Sequence, residues 1–159
     1  MADIVFLVNG DNILAHKFIL YFRSPVFQTM FDGPMAPKSV NGEKPVIPIN
    51  DPRISAENFK LFLEFLYSGE VEITGDNVFV LLNMAEMYNI ESLFKLCEEF
   101  LTDNLNSENV ISVANSASIF DNSKIFKEAI NFIKTSGILK QNEQFCLMNE
   151  KVLLETISG

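Results

Sequence analysis

A chain of 159 residues with apolar side chains at 48% of its positions can bury one domain-sized core, with at most a small appendage. Its net charge of −9 and pI near 4.5 argue against the positive footprint that a nucleic acid or an anionic membrane surface requires. Fifteen Phe and no Trp, spread along the whole length, leave no room for a long disordered tail.

Asp3 to Val8 is a continuous apolar run with β-branched and aromatic members, which predicts a strand buried on both faces. Asn9-Gly10-Asp11 is a tight-turn signal, and Ile13-Leu14-Ala15 returns as a second strand, so the two form a hairpin. His16 to Phe22 is apolar on most sides and reads as a short buried helix. Ser24-Pro25 then starts a helix: Ser caps it, and Pro occupies the first position, where a missing N–H costs nothing. Val26, Phe27, Met30 and Phe31 share one face, and Asp32-Gly33-Pro34 stops the helix. A loop from Pro34 leads to a short strand at Val46 to Ile49.

Beyond Pro52 the pattern is helical. Ala56, Phe59, Phe62, Leu63 and Leu66 follow helical spacing up to Ser68-Gly69. Asp76 is the expected cap of the next helix, which runs to Tyr88, and Asn89 the expected cap of the one after, with Leu93, Leu96, Cys97, Phe100 and Leu101 on one side. Asn106-Ser107 opens another, with Val110, Val113, Ala114 and Ala117. Phe126, Ala129, Ile130 and Ile133 mark a helix after Asp121, and Glu150 to Ile157 a last one. The fold class is therefore α+β: a small N-terminal β portion, a cluster of helical hairpins and an α-rich C-terminal extension.

The chemistry of catalysis is sparse. One His, His16, would have to serve any Ser or Cys nucleophile, and its apolar setting predicts a structural, hydrogen-bonded role. Cys97 and Cys146 lie inside apolar stretches and are expected to be free and buried. With a single His they lack the ligands and spacing of a zinc site, so no metal and no cofactor is expected. Glu98-Glu99 reads as a solvated helix face. No catalytic residue is assigned. There is no secretory leader pattern and no apolar run near the roughly 18–20 residues of a membrane span, so a cytosolic or nuclear protein is expected.

Three motifs in order carry a resemblance. Asp3-Ile4-Val5-Phe6-Leu7-Val8 is followed by Ala15-His16-Lys17, Leu20, Ser24-Pro25-Val26-Phe27 and Met30-Phe31. Phe59 leads to Leu66-Tyr67-Ser68-Gly69. Ala85-Glu86-Met87-Tyr88-Asn89-Ile90 precedes Leu93 and Cys97. Residues 1–105 resemble the BTB/POZ domain, and 106–159 resemble a partial BACK domain, the three-box, most clearly as far as Phe120.

The resemblance implies a protein-binding module, with no catalysis of its own. It points to an adaptor that brings an unidentified substrate protein to a cullin-3 type ubiquitin ligase. The alternative it leaves open is a scaffold that forms a homodimer or pairs with another BTB protein without binding cullin, as in transcription regulation or assembly. The cullin face it implies comprises Pro34 and Met35 in the loop after the second short helix, Tyr88 and Asn89, and Phe120 in the three-box. The family's grip is a hydrophobic residue, any residue, then Glu. Here Met35-Ala36-Pro37 stands in its place, so the Glu is absent. Asp3 and Lys17, charges in apolar settings, are expected to lie together as a buried pair. The helix that precedes the first strand in dimerising members has no counterpart before Asp3, which leaves open a trimmed chain, a different mode of dimerisation or none.

Overall fold

The computed structural model describes residues 1–120, 123–137 and 147–157. They form two compact units, Met1–Lys95 and Leu96 onward, with one helix running from the first into the second.

The first unit opens with β1 (Ile4–Val8) and β2 (Asp11–Ala15), an antiparallel hairpin in which Phe6 faces Ile13. Asn9 and Gly10 both take positive φ, 51° and 88°, as the two-residue hairpin turn requires. The Asn9 side-chain amide donates to the Ile54 carbonyl at 3.0 Å, which pins the turn to a distant loop. β3 (Val46–Ile49) joins β1 in parallel, so the sheet order is β2-β1-β3. Its inner face, Ile4, Phe6, Val8, Ile13, Ala15 and Ile47, is buried. Its outer face leaves Leu7, Leu14 and Val46 exposed. β1 is thus buried on one face, not two. Its unbroken apolar run hides the alternation because the outward positions are apolar as well.

α1 (Lys17–Arg23) and α2 (Pro25–Asp32) share Ser24, which ends one and caps the other. α1 is not the buried helix its composition suggested: Leu20 is its one buried residue, while Phe18 and Phe22 are 72% and 71% exposed. Two turns of helix have one face to bury, and five consecutive apolar or aromatic residues cannot share it.

In α2 Phe27 is buried between β1 and the helices that follow. α3 (Ala56–Ser68) is capped by Ser55 and ends on Gly69 at φ 80°. It buries Phe59, Phe62, Leu63, Phe65 and Leu66. α4 (Val78–Met87) follows an irregular stretch, and Asp76 is not its cap. Instead Asn77 and Thr74 exchange side-chain to backbone hydrogen bonds at 2.8 and 3.3 Å and close the preceding turn. The core is a chain of rings: Phe59 on Phe6 at 4.8 Å, Phe6 on Phe27 at 5.8 Å, and Tyr88 on Phe27 at 4.5 Å and on Phe62 at 5.3 Å.

α5 (Glu91–Asp103) leads into the second unit, where Cys97 is free and buried, its thiol pushed up to about 12 by burial. Cys146 lies outside the described residues, as does Asp121. α6 (Val110–Ala117), α7 (Lys124–Thr135) and α8 (Glu150–Ile157) complete this unit. Asn106 and Asn109 cap each other's backbone at the start of α6. Ser123 caps α7, and Glu98 in α5 accepts from the Ile125 N–H at 3.0 Å. Glu98 is therefore a tertiary helix cap and not part of a solvated face, a role set by a residue 27 positions away. Asn149 donates both its backbone N–H and its side-chain amide to Asn115 and accepts from the Val152 N–H, which fixes the entry to α8.

Candidate functional site

The loop between α2 and β3 starts at a forced turn. Gly33 donates its N–H to the Thr29 carbonyl, and a Cβ at that position would lie 2.9 Å from the same oxygen. Ala36 N–H returns to the Gly33 carbonyl at 3.1 Å. Further on, Val40 and Glu43 form a one-rung bridge over Asn41 and Gly42, both at positive φ. The loop re-enters the sheet where the Pro45 carbonyl accepts from Val5 N–H. Pro34 and Met35 stand on its outer side, with Met35 90% exposed. A thioether held out this way has no folding role of its own and can fill an apolar recess of variable shape.

Tyr88 is placed differently from a surface contact. It is 6% exposed and stacked on Phe27, and burial pushes its hydroxyl up to about 12. Its carbonyl accepts the Ser24 hydroxyl at 2.6 Å, while the Ser24 oxygen accepts from Phe27 N–H. Asn89 is exposed at φ 53° and ends α4 instead of capping α5. The Ile90 N–H reaches back to the Ala85 carbonyl at 2.7 Å and Asn89 N–H to Glu86 at 3.2 Å, the paired bonds of a Schellman turn. Asn tolerates the left-handed position that Gly usually takes there. Phe120 belongs to the second unit, half-buried just after α6, where its N–H donates to the Ala117 carbonyl.

Asp3 and Lys17 do meet, but not as a buried ion pair. Asp3 is exposed, and its carboxylate accepts the Lys17 backbone N–H at 2.8 Å, so it serves the amino end of α1. His16 donates its backbone N–H to Tyr67 Oη at 2.9 Å, and its Nδ1 lies 2.9 Å from the same oxygen. Tyr67 thus holds the imidazole at the junction of β2 and α1, a structural position. No group of three or more His, Cys, Asp or Glu able to hold a metal ion occurs among the described residues.

This sheet, its covering helices and an exposed loop match a known interaction fold. The BTB/POZ domain profile matches residues 1–105. The chain belongs to the BTB/POZ family. The BTB domain of human gigaxonin superimposes with a TM-score of 0.52 over 63% of this chain and 77% of that one, at 24% identity, which supports the fold. BTB/POZ domain-containing protein 6 of mouse and of human is each 27% identical over 158 residues, 96% of this chain and 28% of the relative. The ARM repeat protein interacting with ABF2 from Arabidopsis thaliana is 32% identical over 148 residues, 90% of this chain and 20% of that protein. The chain spans less than a third of the length of these relatives. A BTB/POZ domain is a protein-binding and dimerising module, so the chemistry to look for is surface and not reactive centre. No helix among the described residues is long and apolar enough to cross a membrane.

One surface was missed in the sequence. Phe18 and Phe22, stacked edge to face at 4.8 Å, line an open cleft of about 370 Å³ between α1 and the end of α3. Its signal was available: an i, i+4 pair of Phe on a helix too short to bury both.

Proposed function

We propose that this BTB/POZ domain is the ligase-binding part of a substrate adaptor for a cullin-3 type ubiquitin ligase. Residues 106–159 would act as a partial BACK, or three-box, extension. Met35 carries the reading: a large apolar side chain held in solvent on a loop anchored at both ends. Pro34 stiffens the approach to it. Tyr88 supports the face from within by fixing α2, and Asn89 shapes the turn beside it. Phe120 belongs to the extension. Pro37 offers no carboxylate, so the contact depends on apolar anchoring.

An interface of this kind buries about 1,200–2,000 Å² in total, and a few central anchors supply most of its energy. Purified cullin-3 is expected to bind the wild-type chain at micromolar concentration. Met35→Glu, which buries a charge in the interface, is expected to weaken binding by about tenfold or more. Calorimetric titration measures both. A wild-type chain that does not bind at micromolar concentration ends the adaptor reading.

A further inference from the structure

Val-Asn-Gly followed by an acidic residue occurs twice in the chain, as Val8-Asn9-Gly10-Asp11 and as Val40-Asn41-Gly42-Glu43. Asn is chemically labile before Gly. The Gly backbone nitrogen can attack the Asn side-chain carbonyl, and a residue without Cβ leaves that approach open. The two copies share their local sequence, so only the fold can separate their reactivity. Both are turns with positive φ at Asn and Gly, 51° and 88° in the first, 52° and 81° in the second. A Cβ on Gly10 or Gly42 would meet nothing within 4 Å, so the space around the attacking nitrogen is open in both.

What differs is how each turn is held. Asn9-Gly10 closes the β1–β2 ladder of five residue pairs, and the Asn9 side-chain amide donates to the Ile54 carbonyl at 3.0 Å. That bond holds the group that would have to swing onto the Gly10 nitrogen, and the ladder holds the backbone around it. Asn41-Gly42 is closed by the isolated Val40–Glu43 bridge, outside any strand, with a hydrogen bond of 2.9 Å from Glu43 N–H to the Val40 carbonyl. The Asn41 side chain makes no hydrogen bond with any described residue. Residues 38–44 are all exposed. Opening one exposed rung costs little, whereas opening the first turn breaks a ladder and a tertiary tie.

We infer that Asn41 is a site of spontaneous covalent modification in the folded protein, and that Asn9 is protected from the same reaction. The Gly42 nitrogen gives up its proton and attacks Asn41 Cγ. The N–Cγ bond forms, the Cγ–Nδ2 bond breaks, and Nδ2 leaves as ammonia with that proton. Water then opens the succinimide ring at either of its carbonyls, which leaves aspartate or isoaspartate at position 41. One added carboxylate takes the net charge from −9 to −10. Isoaspartate also inserts a methylene into the backbone between Val40 and Glu43 and so spoils the bridge that closes the turn. The change falls in the loop that carries Met35, but it needs only water as co-reactant and does not depend on the adaptor reading.

The test is incubation of the folded chain in mildly alkaline buffer at physiological temperature, with peptide mapping by mass spectrometry at intervals. Electron-transfer fragmentation distinguishes aspartate from isoaspartate. Asn41 is expected to convert at least about tenfold faster than Asn9, and to give both products. In urea the two rates should converge, because the local sequences match. Gly42→Ala should slow conversion at Asn41 about tenfold or more in urea as well as in buffer, which reads the attack itself apart from the fold. A smaller ratio in the folded chain or rates that stay apart in urea would overturn the proposal. So would aspartate without isoaspartate, or a Gly42→Ala chain that converts at the wild-type rate.

Discussion

α1 and α2 are neighbours of seven and eight residues, each with two Phe one turn apart, and they use them in opposite ways. α2 sinks Phe27 into the ring cluster and stacks Phe31 beside it at 5.9 Å. α1 holds Phe18 and Phe22 in solvent. The difference is in what crosses each helix. α2 lies between β1 and the Tyr88 end of α4, and it is tied to both by rings and by the Ser24 hydroxyl. α1 presses Leu20 inward and is tied to distant residues at its amino end, through Asp3 and through the His16–Tyr67 bonds. A Phe is thus a fold-building residue on one helix and a surface residue on the next.

That contrast can be broken most sharply by truncation. Phe27→Ala removes a fully buried ring from its contacts with Phe6, Phe31 and Tyr88 and should cost about 3–5 kcal/mol in urea denaturation, while Phe22→Ser should stay within about 0.5 kcal/mol of wild type. If Phe22 cost as much as Phe27, α1 would be part of the core. A smaller effect, about 1–3 kcal/mol, is expected for Ser24→Ala, which removes the α2 cap and leaves the Tyr88 carbonyl without its donor. Asn89→Ala should cost about 1 kcal/mol in the same assay because its φ is left-handed, and Asn89→Gly should be neutral or slightly stabilising.

The smallest handle is pH. Burial raises the folded-state Tyr88 hydroxyl to about 12, so its contribution is complete below the ordinary tyrosine value near 10 and is lost as pH rises through 12. Tyr88→Phe should flatten alkaline unfolding over that interval, followed by circular dichroism.

Much of the fold was legible. The Asn9-Gly10 turn, the Ser24-Pro25 start, the strand at Val46 and the Gly69 stop all depend on residues adjacent in the chain, whose backbone preferences are local. The elements that were misread depend on something far away. Asn89 looks like a cap for the following helix because Asn can serve either end, and only the course of the chain assigns it to α4. Glu98 looks solvated because its acceptor role is created by α7. Of the candidate site, Pro34 and Met35 stand on the surface, whereas Tyr88 stands in the core. The cleft at Phe18 and Phe22 went unseen because an apolar helix is read as buried unless its neighbours are known.

By itself, then, the order of residues determined the α+β class, most element boundaries and the family, because turns, caps and hydrophobic periods act over a few residues. Which apolar faces stay open to partners was decided by tertiary structure. Burial depends on how many elements compete for the same interior, and β1, α2 and α3 fill it before α1 can turn its rings inward.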